Sequence, residues 1–147
     1  MDIDQLYSKI LNESRNPSIF SKYLDDNLDN KVLVFLIYWT KIFNKIDKKN
    51  SNFQQLFDHI FNRIETDLRE IGYGDMSVNK KMKIIVTKFY SILIDFKGHI
   101  EKTKDDKHLL IKKYFPNIKE IEEFSAHLDE YLSVDNNYHN DNKSFES

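Results

Sequence analysis

The residues best suited to chemistry lie in one stretch, where acidic and basic side chains crowd around two glycines. Residues 58–83 carry five acidic and five basic side chains. Lys80, Lys81 and Lys83 fall in the first turns of a predicted helix, where the helix dipole disfavours cations by about 0.3–1 kcal/mol each. Acids crowd the negative end of the preceding helix at Glu65, Asp67 and Glu70. This placement indicates either neutralisation of charge across a turn or a mixed-charge surface for a polar partner.

A partner surface at this turn is the leading hypothesis. Tyr73 lies between the two glycines, so its side chain is expected either to be exposed and to contact a partner or to pack against neighbouring residues of the turn. The predicted partner-binding residues are Asp67, Arg69, Glu70, Gly72, Tyr73, Gly74, Asp75, Ser77, Lys80, Lys81 and Lys83.

Two other functions use the same residues. In a small helical enzyme or cofactor carrier, Asp67, Arg69 and Asp75 would be the polar site residues. Buried, converging carboxylates with shifted pKa values would favour it, whereas exposed, cross-paired charges would favour binding. Ribosome or RNA binding through the lysines is disfavoured by the neighbouring acids.

Other site chemistry is weakly represented. Glu123 and His127 are four apart on one helix, and Asp58-His59 lies nearly two turns before Glu65, but no further ligand is evident in either set. We therefore expect solvated polar surfaces, no metal and no cofactor. Because cysteine is absent, disulfides and thiolate catalysis are excluded, and no serine lies in a Gly-x-Ser-x-Gly elbow.

The composition is typical of one soluble globular domain. The chain has 147 residues with a net charge of −2, which argues against direct DNA binding. Three glycines and two prolines leave little material for β-hairpins or phosphate-binding loops.

Hydrophobic spacing predicts an all-α bundle of about six helices around a central apolar helix over Lys31–Ile46. Apolar residues at helical intervals predict two long amphipathic helices, about 53–71 and 77–100, joined as an antiparallel hairpin. Gly72 is the expected C-terminal residue with positive φ, and Ser77 the expected N-cap of the second helix.

Shorter helices are predicted on both sides of this hairpin. Asn50 or Ser51 is expected to cap the helix over 53–71, Asp105 or Asp106 a helix ending near Tyr114, and Pro116 is expected to open the last helix. The predicted domain is 1–133, and 134–147 is predicted to be a disordered polar tail.

No targeting or membrane-spanning segment is expected. The longest apolar run is Val32–Trp39, whereas a spanning helix needs about 20 residues. The N-terminal residues lack a positive region and a cleavage site, so a cytoplasmic location is expected, with peripheral contact at a membrane left open.

The stretch Leu68–Lys83 resembles the ubiquinol–cytochrome c chaperone family, whose members share an LREhGhGDhSVxKxhK block in which h is apolar. Phe57–Phe61, Asp67 and Phe89-Tyr90 also fit the family pattern, and weaker similarity extends over residues 3–132. Three features depart from it: Ser91-Ile92 replaces a Gly-Arg pair, Asp29–Val32 replaces an Asp-Gly-Arg-Phe loop, and Tyr38 replaces a histidine.

The resemblance implies a non-catalytic assembly chaperone for the cytochrome bc1 complex (complex III). Its implied partners are cytochrome b or another bc1 subunit, a small partner protein and the ribosome, with peripheral contact at the inner membrane. The short single-domain form and the richness in Lys, Asn and Ile fit a bacterial member. No nucleotide-binding motif is present, which fits a chaperone without an ATPase cycle.

Overall fold

Seven α-helices and one 3₁₀ turn, His99–Glu101, make up the computed structural model, which describes residues 2–133. The helices are α1 (Ile3–Ser14), α2 (Pro17–Lys22), α3 (Leu28–Phe43), α4 (Ser51–Ile71), α5 (Asp75–Asp95), α6 (Lys104–Tyr114) and α7 (Ile121–Ser133). No strand occurs in this range, and the all-α prediction is confirmed. The predicted polar tail, 134–147, lies outside the described residues.

Helix α3 is the centre of the core. Every residue from Leu33 to Phe43 is buried, because α3 packs against α1, α5 and α7 on different sides. Trp39 is fully buried and its ring meets those of Phe35 and Phe43 edge-on, with centroids 6.1 and 6.0 Å away. A helix buried on all sides needs no polar face, which explains its apolar sequence.

Helices α4 and α5 form an antiparallel hairpin, as predicted. Phe57 and Phe89 stand equally far from Tyr73 along the chain, and their ring centroids are 6.0 Å apart. Phe61 reaches the same Phe89 ring at 5.4 Å, while Phe57 stacks on Tyr90 at 5.4 Å. These aromatic contacts bury the apolar stripe of α4 against α5.

Several helix boundaries differ from the predicted ones because of local capping. Helix α3 begins at Leu28 rather than Lys31, since the Asn27 side chain accepts a hydrogen bond from the Asn30 amide. Helix α6 is capped by Thr103, not by Asp105 or Asp106, which lie in its first turn.

The hairpin helices and the last helix also differ at their ends. Helix α5 begins at Asp75 with Gly74 as its N-cap, so Ser77 lies inside the helix and is not the cap. It stops at Asp95 rather than near Ile100, because the chain reverses through Gly98 at φ +65°. Helix α7 begins at Ile121 and not near Pro116.

No helix within residues 2–133 combines the length and apolarity needed to cross a membrane.

Candidate functional site

The turn between α4 and α5 is a Schellman motif centred on Gly72. Its φ of +116° matches the predicted left-handed conformation. The Gly72 amide donates to the Arg69 carbonyl at 3.0 Å and the Tyr73 amide to the Leu68 carbonyl at 3.3 Å. These bonds satisfy the last carbonyls of α4, while Gly74 has an ordinary φ of −75°. The glycine at 72 therefore sets the direction in which α5 leaves the turn.

Tyr73 serves local packing rather than standing free in solvent. Its ring is partly buried against the core, and the Lys81 ammonium lies 4.8 Å from the ring centroid. This is a cation–π distance, so the turn engages Lys81 within the protein.

Charge across the turn is neutralised through Arg69. Its guanidinium pairs with Asp75, the first residue of α5, and with Glu65 one turn back at 3.4 Å. The Asp75 hydrogen bond is the main cause that raises the pKa of Arg69. All three side chains are more than one-third exposed, so these pairs contribute little stability but hold the two helix ends together.

Asp67 points towards α1. Its carboxylate accepts a 2.8 Å hydrogen bond from the Tyr7 hydroxyl and lies 3.5 Å from the Arg63 guanidinium. Burial and the bond to Asp67 raise the pKa of the Tyr7 phenol far above its usual value. This geometry gives Asp67 a role in joining α1 to α4, and its contact with a partner stays a prediction.

Lys80 and Lys83 extend into solvent from α5. Both side chains are exposed and make no ion pair or hydrogen bond within residues 2–133, and the same is true of Glu70. The lysine–acid neutralisation that the sequence left open is therefore absent from the turn. Ser77 is also exposed on this side of α5.

Apolar side chains accompany these charges. Met76 is 78 % exposed, Ile71 59 % and Ile84 56 %. Beside Ile84, a groove of about 340 Å³ opens between α3 and α5. An apolar groove next to exposed charge is the kind of surface that a binding protein presents.

A comparison with protein-family models bears on the resemblance of the turn block. Residues 41–111 match the ubiquinol-cytochrome C chaperone family. The family predicted from the turn block is thereby confirmed. No curated protein and no solved structure matches the chain.

The ubiquinol-cytochrome C chaperone match spans the end of α3, the whole α4–α5 hairpin and most of α6. The hairpin carries every residue of the predicted partner site. The weaker similarity predicted for α1, α2 and α7 lies outside the matched residues.

The residues considered as metal-ligand candidates have other partners in this chain. His127 lies 2.6 Å from the Tyr38 hydroxyl, Glu123 accepts from Tyr23 at 3.4 Å, and His59 contacts Asp4 at 2.8 Å. Over the part of the chain that the structure describes, no group of three His, Asp or Glu side chains is placed to hold a metal ion. The former ligand candidates tie helices together instead.

Sequence reasoning missed the groove residues on α5, Ile84 and Lys88. Ile85 belongs to the apolar stripe that enters the core, and its neighbour Ile84 lies outside that stripe. The spacing of Lys81, Ile84, Ile85 and Lys88 is the sequence pattern that indicates these groove residues, because it places all four on one side of the helix.

Proposed function

We propose that this chain is a non-catalytic assembly chaperone for the cytochrome bc1 complex. It binds cytochrome b, another bc1 subunit or an assembly partner through the turn surface, defined by Lys80, Lys83, Glu70 and Met76. The family match at residues 41–111 supports the assembly role. The unpaired, exposed state of Lys80 and Lys83 is the observation that carries the choice of surface.

The electrostatics favour binding over catalysis. Arg69, Glu65 and Asp75 are exposed and cross-paired, which is the arrangement expected of a scaffold at a binding surface. Because α5 begins at Asp75, Lys80 and Lys83 lie beyond its first turn, where the helix dipole has little effect on them. A complementary partner surface gives these exposed, unpaired lysines a physical reason to be there.

The test is a charge reversal, Lys80→Glu with Lys83→Glu. Because neither lysine is paired, the folded state loses no contact, and both positions lie beyond the first turn of α5, where the helix dipole has little effect on a charge. We expect the free energy of unfolding to change by less than about 1 kcal/mol. Accumulation of the bc1 complex, measured in cells with the variant at normal protein level, should fall severely because the partner surface now repels.

Lys48→Glu with Lys49→Glu is the matched control. These lysines are also exposed and precede a helix N-terminus, that of α4, but lie at the opposite end of the hairpin. The control should leave bc1 levels unchanged. Normal bc1 levels with a fully folded Lys80→Glu, Lys83→Glu variant would contradict the proposal.

A further inference from the structure

The groove between α3 and α5 has two walls with the same spacing. The α5 wall presents Lys81, Ile84, Ile85 and Lys88, and the α3 wall presents Leu28, Asp29, Asn30, Val32, Leu33 and Leu36. The α5 residues follow intervals of three, one and three, and Asp29, Val32, Leu33 and Leu36 of the α3 wall repeat these intervals, which place side chains along one face of a helix. Such stripes are what helices present to a further helix that packs against them.

The aliphatic part of the groove is incompletely covered. Ile84 is 56 % exposed although it adjoins buried Ile85, and Val32 is only partly buried. Leu68 of α4 and Tyr114 of α6 also line the groove. Apolar side chains of an occupant would therefore replace water on a surface that the described residues leave open.

The charges of the groove indicate an acidic occupant. From Met76 to Ile94, α5 carries four lysines and no acid. Lys88 has no ion pair among residues 2–133, and Lys81 contacts only the Tyr73 ring. Asp29 on the opposite wall is accounted for by its position in the first turn of α3, where the dipole favours an acid. Lys88 has no such local reason, whereas Lys81 lies against the Tyr73 ring at one end of the groove.

The spacing of the lysines favours a helix over an extended chain. Lys81 and Lys88 are seven residues apart on α5, a rise of about 10 Å. Acids seven residues apart on a second helix repeat at the same distance. Side chains on one face of a strand recur at about 7 Å, which does not match.

We propose that this groove binds an amphipathic helix of a partner protein, with acidic residues along the edge that faces α5. The inference rests on the proposed function, because it names the chemistry of a partner that an assembly chaperone holds. It adds a second contact surface, beside Ile84, to the turn surface.

The test uses two designed helical peptides and the full chain. Both peptides carry leucines at helical positions i, i+3, i+4 and i+7. Along the edge of this leucine face, one peptide has glutamates and the other has lysines. Fluorescence anisotropy should show the glutamate peptide binding at least about tenfold more tightly. Lys88→Glu should weaken the glutamate peptide and strengthen the lysine peptide, because the rim charge is reversed.

A matched pair of variants separates the groove from the rest of α5. Ile84→Ser should weaken binding of the glutamate peptide by at least about tenfold. Ile94→Ser should leave it unchanged, since Ile94 is 68 % exposed on the same helix but does not line the groove. Both side chains are exposed, so both variants should melt like the unaltered protein.

Four results would overturn the groove proposal. The first is that neither peptide shows saturable binding, and the second is that both bind equally well. The third is that Ile84→Ser binds the glutamate peptide as well as the unaltered protein does. The fourth is that the groove binds lipid or a second copy of the chain instead, in a way that depends on Ile84. The last is scored by flotation with anionic phospholipid vesicles and by the mass of the protein in sedimentation. A vesicle interaction or a dimer that Ile84→Ser abolishes, without peptide binding, assigns the groove to lipid or to a second copy.

The two proposals fail separately. The first case is peptide binding that responds to the Lys88 and Ile84 substitutions as expected, with normal bc1 levels in cells that carry Lys80→Glu, Lys83→Glu. This result would support the groove proposal and contradict the proposal that the turn surface binds the partner. Loss of bc1 complex in those cells without peptide binding would do the reverse.

Discussion

The charged residues around the turn fall into two groups: those whose side chains contact other residues of the protein and those whose side chains do not. Arg69 pairs with Asp75 and Glu65, and Lys81 covers Tyr73. Lys80 and Lys83 have no such contact within residues 2–133, although all of these side chains lie between positions 65 and 83. The difference lies in direction around the helix axis, which decides whether a charge meets the protein or solvent.

His99 is the residue whose protonation should govern acid stability. It is 2 % exposed, lies 3.6 Å from Asp129 and packs against the Phe96 ring. Burial lowers its pKa to about 4; Asp129 opposes this shift, while Lys107 and Lys102 add to it. Because the unfolded pKa is near 6.5, stability is complete above that pH and is lost as pH falls from about 6.5 to 4, by up to about 3 kcal/mol.

Urea unfolding of the unaltered protein and of His99→Gln at pH 7.5, 6 and 5 checks this expectation. Gln cannot titrate, so its unfolding free energy should fall less steeply with acidification than that of the unaltered protein. The comparison is between slopes, so any constant cost of the substitution cancels. Parallel pH dependence in the two proteins would show that His99 is not the group responsible.

At the scale of elements, the α4–α5 hairpin depends on one backbone conformation. Gly72 has φ +116° with nothing within 4 Å of where a Cβ would stand, so a side chain meets strain but no clash. Gly72→Val should therefore lower the free energy of unfolding by more than about 1 kcal/mol, as measured in urea.

Gly74→Ser is the control for that substitution. Gly74 is the N-cap of α5, at φ −75° and in equally open space, and serine adds the missing capping oxygen. Its stability should be equal or slightly raised. If Gly72→Val is as stable as Gly74→Ser, then the left-handed conformation does not limit the choice of residue at 72.

For the whole molecule, α3 makes one cooperative unit of the helices that pack on it. Trp39, the single tryptophan, is fully buried in α3 and lies 6.5 Å from the Tyr7 ring of α1. We expect its fluorescence and the helical circular dichroism to change at the same urea concentration, because losing α3 removes the support of α1, α5 and α7 together. A fluorescence transition at clearly lower urea would show that the centre loosens before the bundle unfolds.

The sequence by itself determined the features that depend on near neighbours. The apolar intervals of α4 and α5, the glycine at 72 and the cap at Asn50 each act within a few residues, so their patterns predicted the hairpin and its left-handed turn. The block from Leu68 to Lys83 also carried the family resemblance, since it is contiguous.

Only the tertiary structure decided what distant residues do to one another. Asp67 meets Tyr7 across 60 positions of sequence, and the groove combines α3 with α5, whose facing residues are about 50 positions apart. Even the end of α5 at Asp95 reflects the fold, because the reversal at Gly98 brings His99 into the core against α7. Periodicity states which side of a helix is apolar, but the packing of other helices decides which part of that side is covered and which part stays open to a partner.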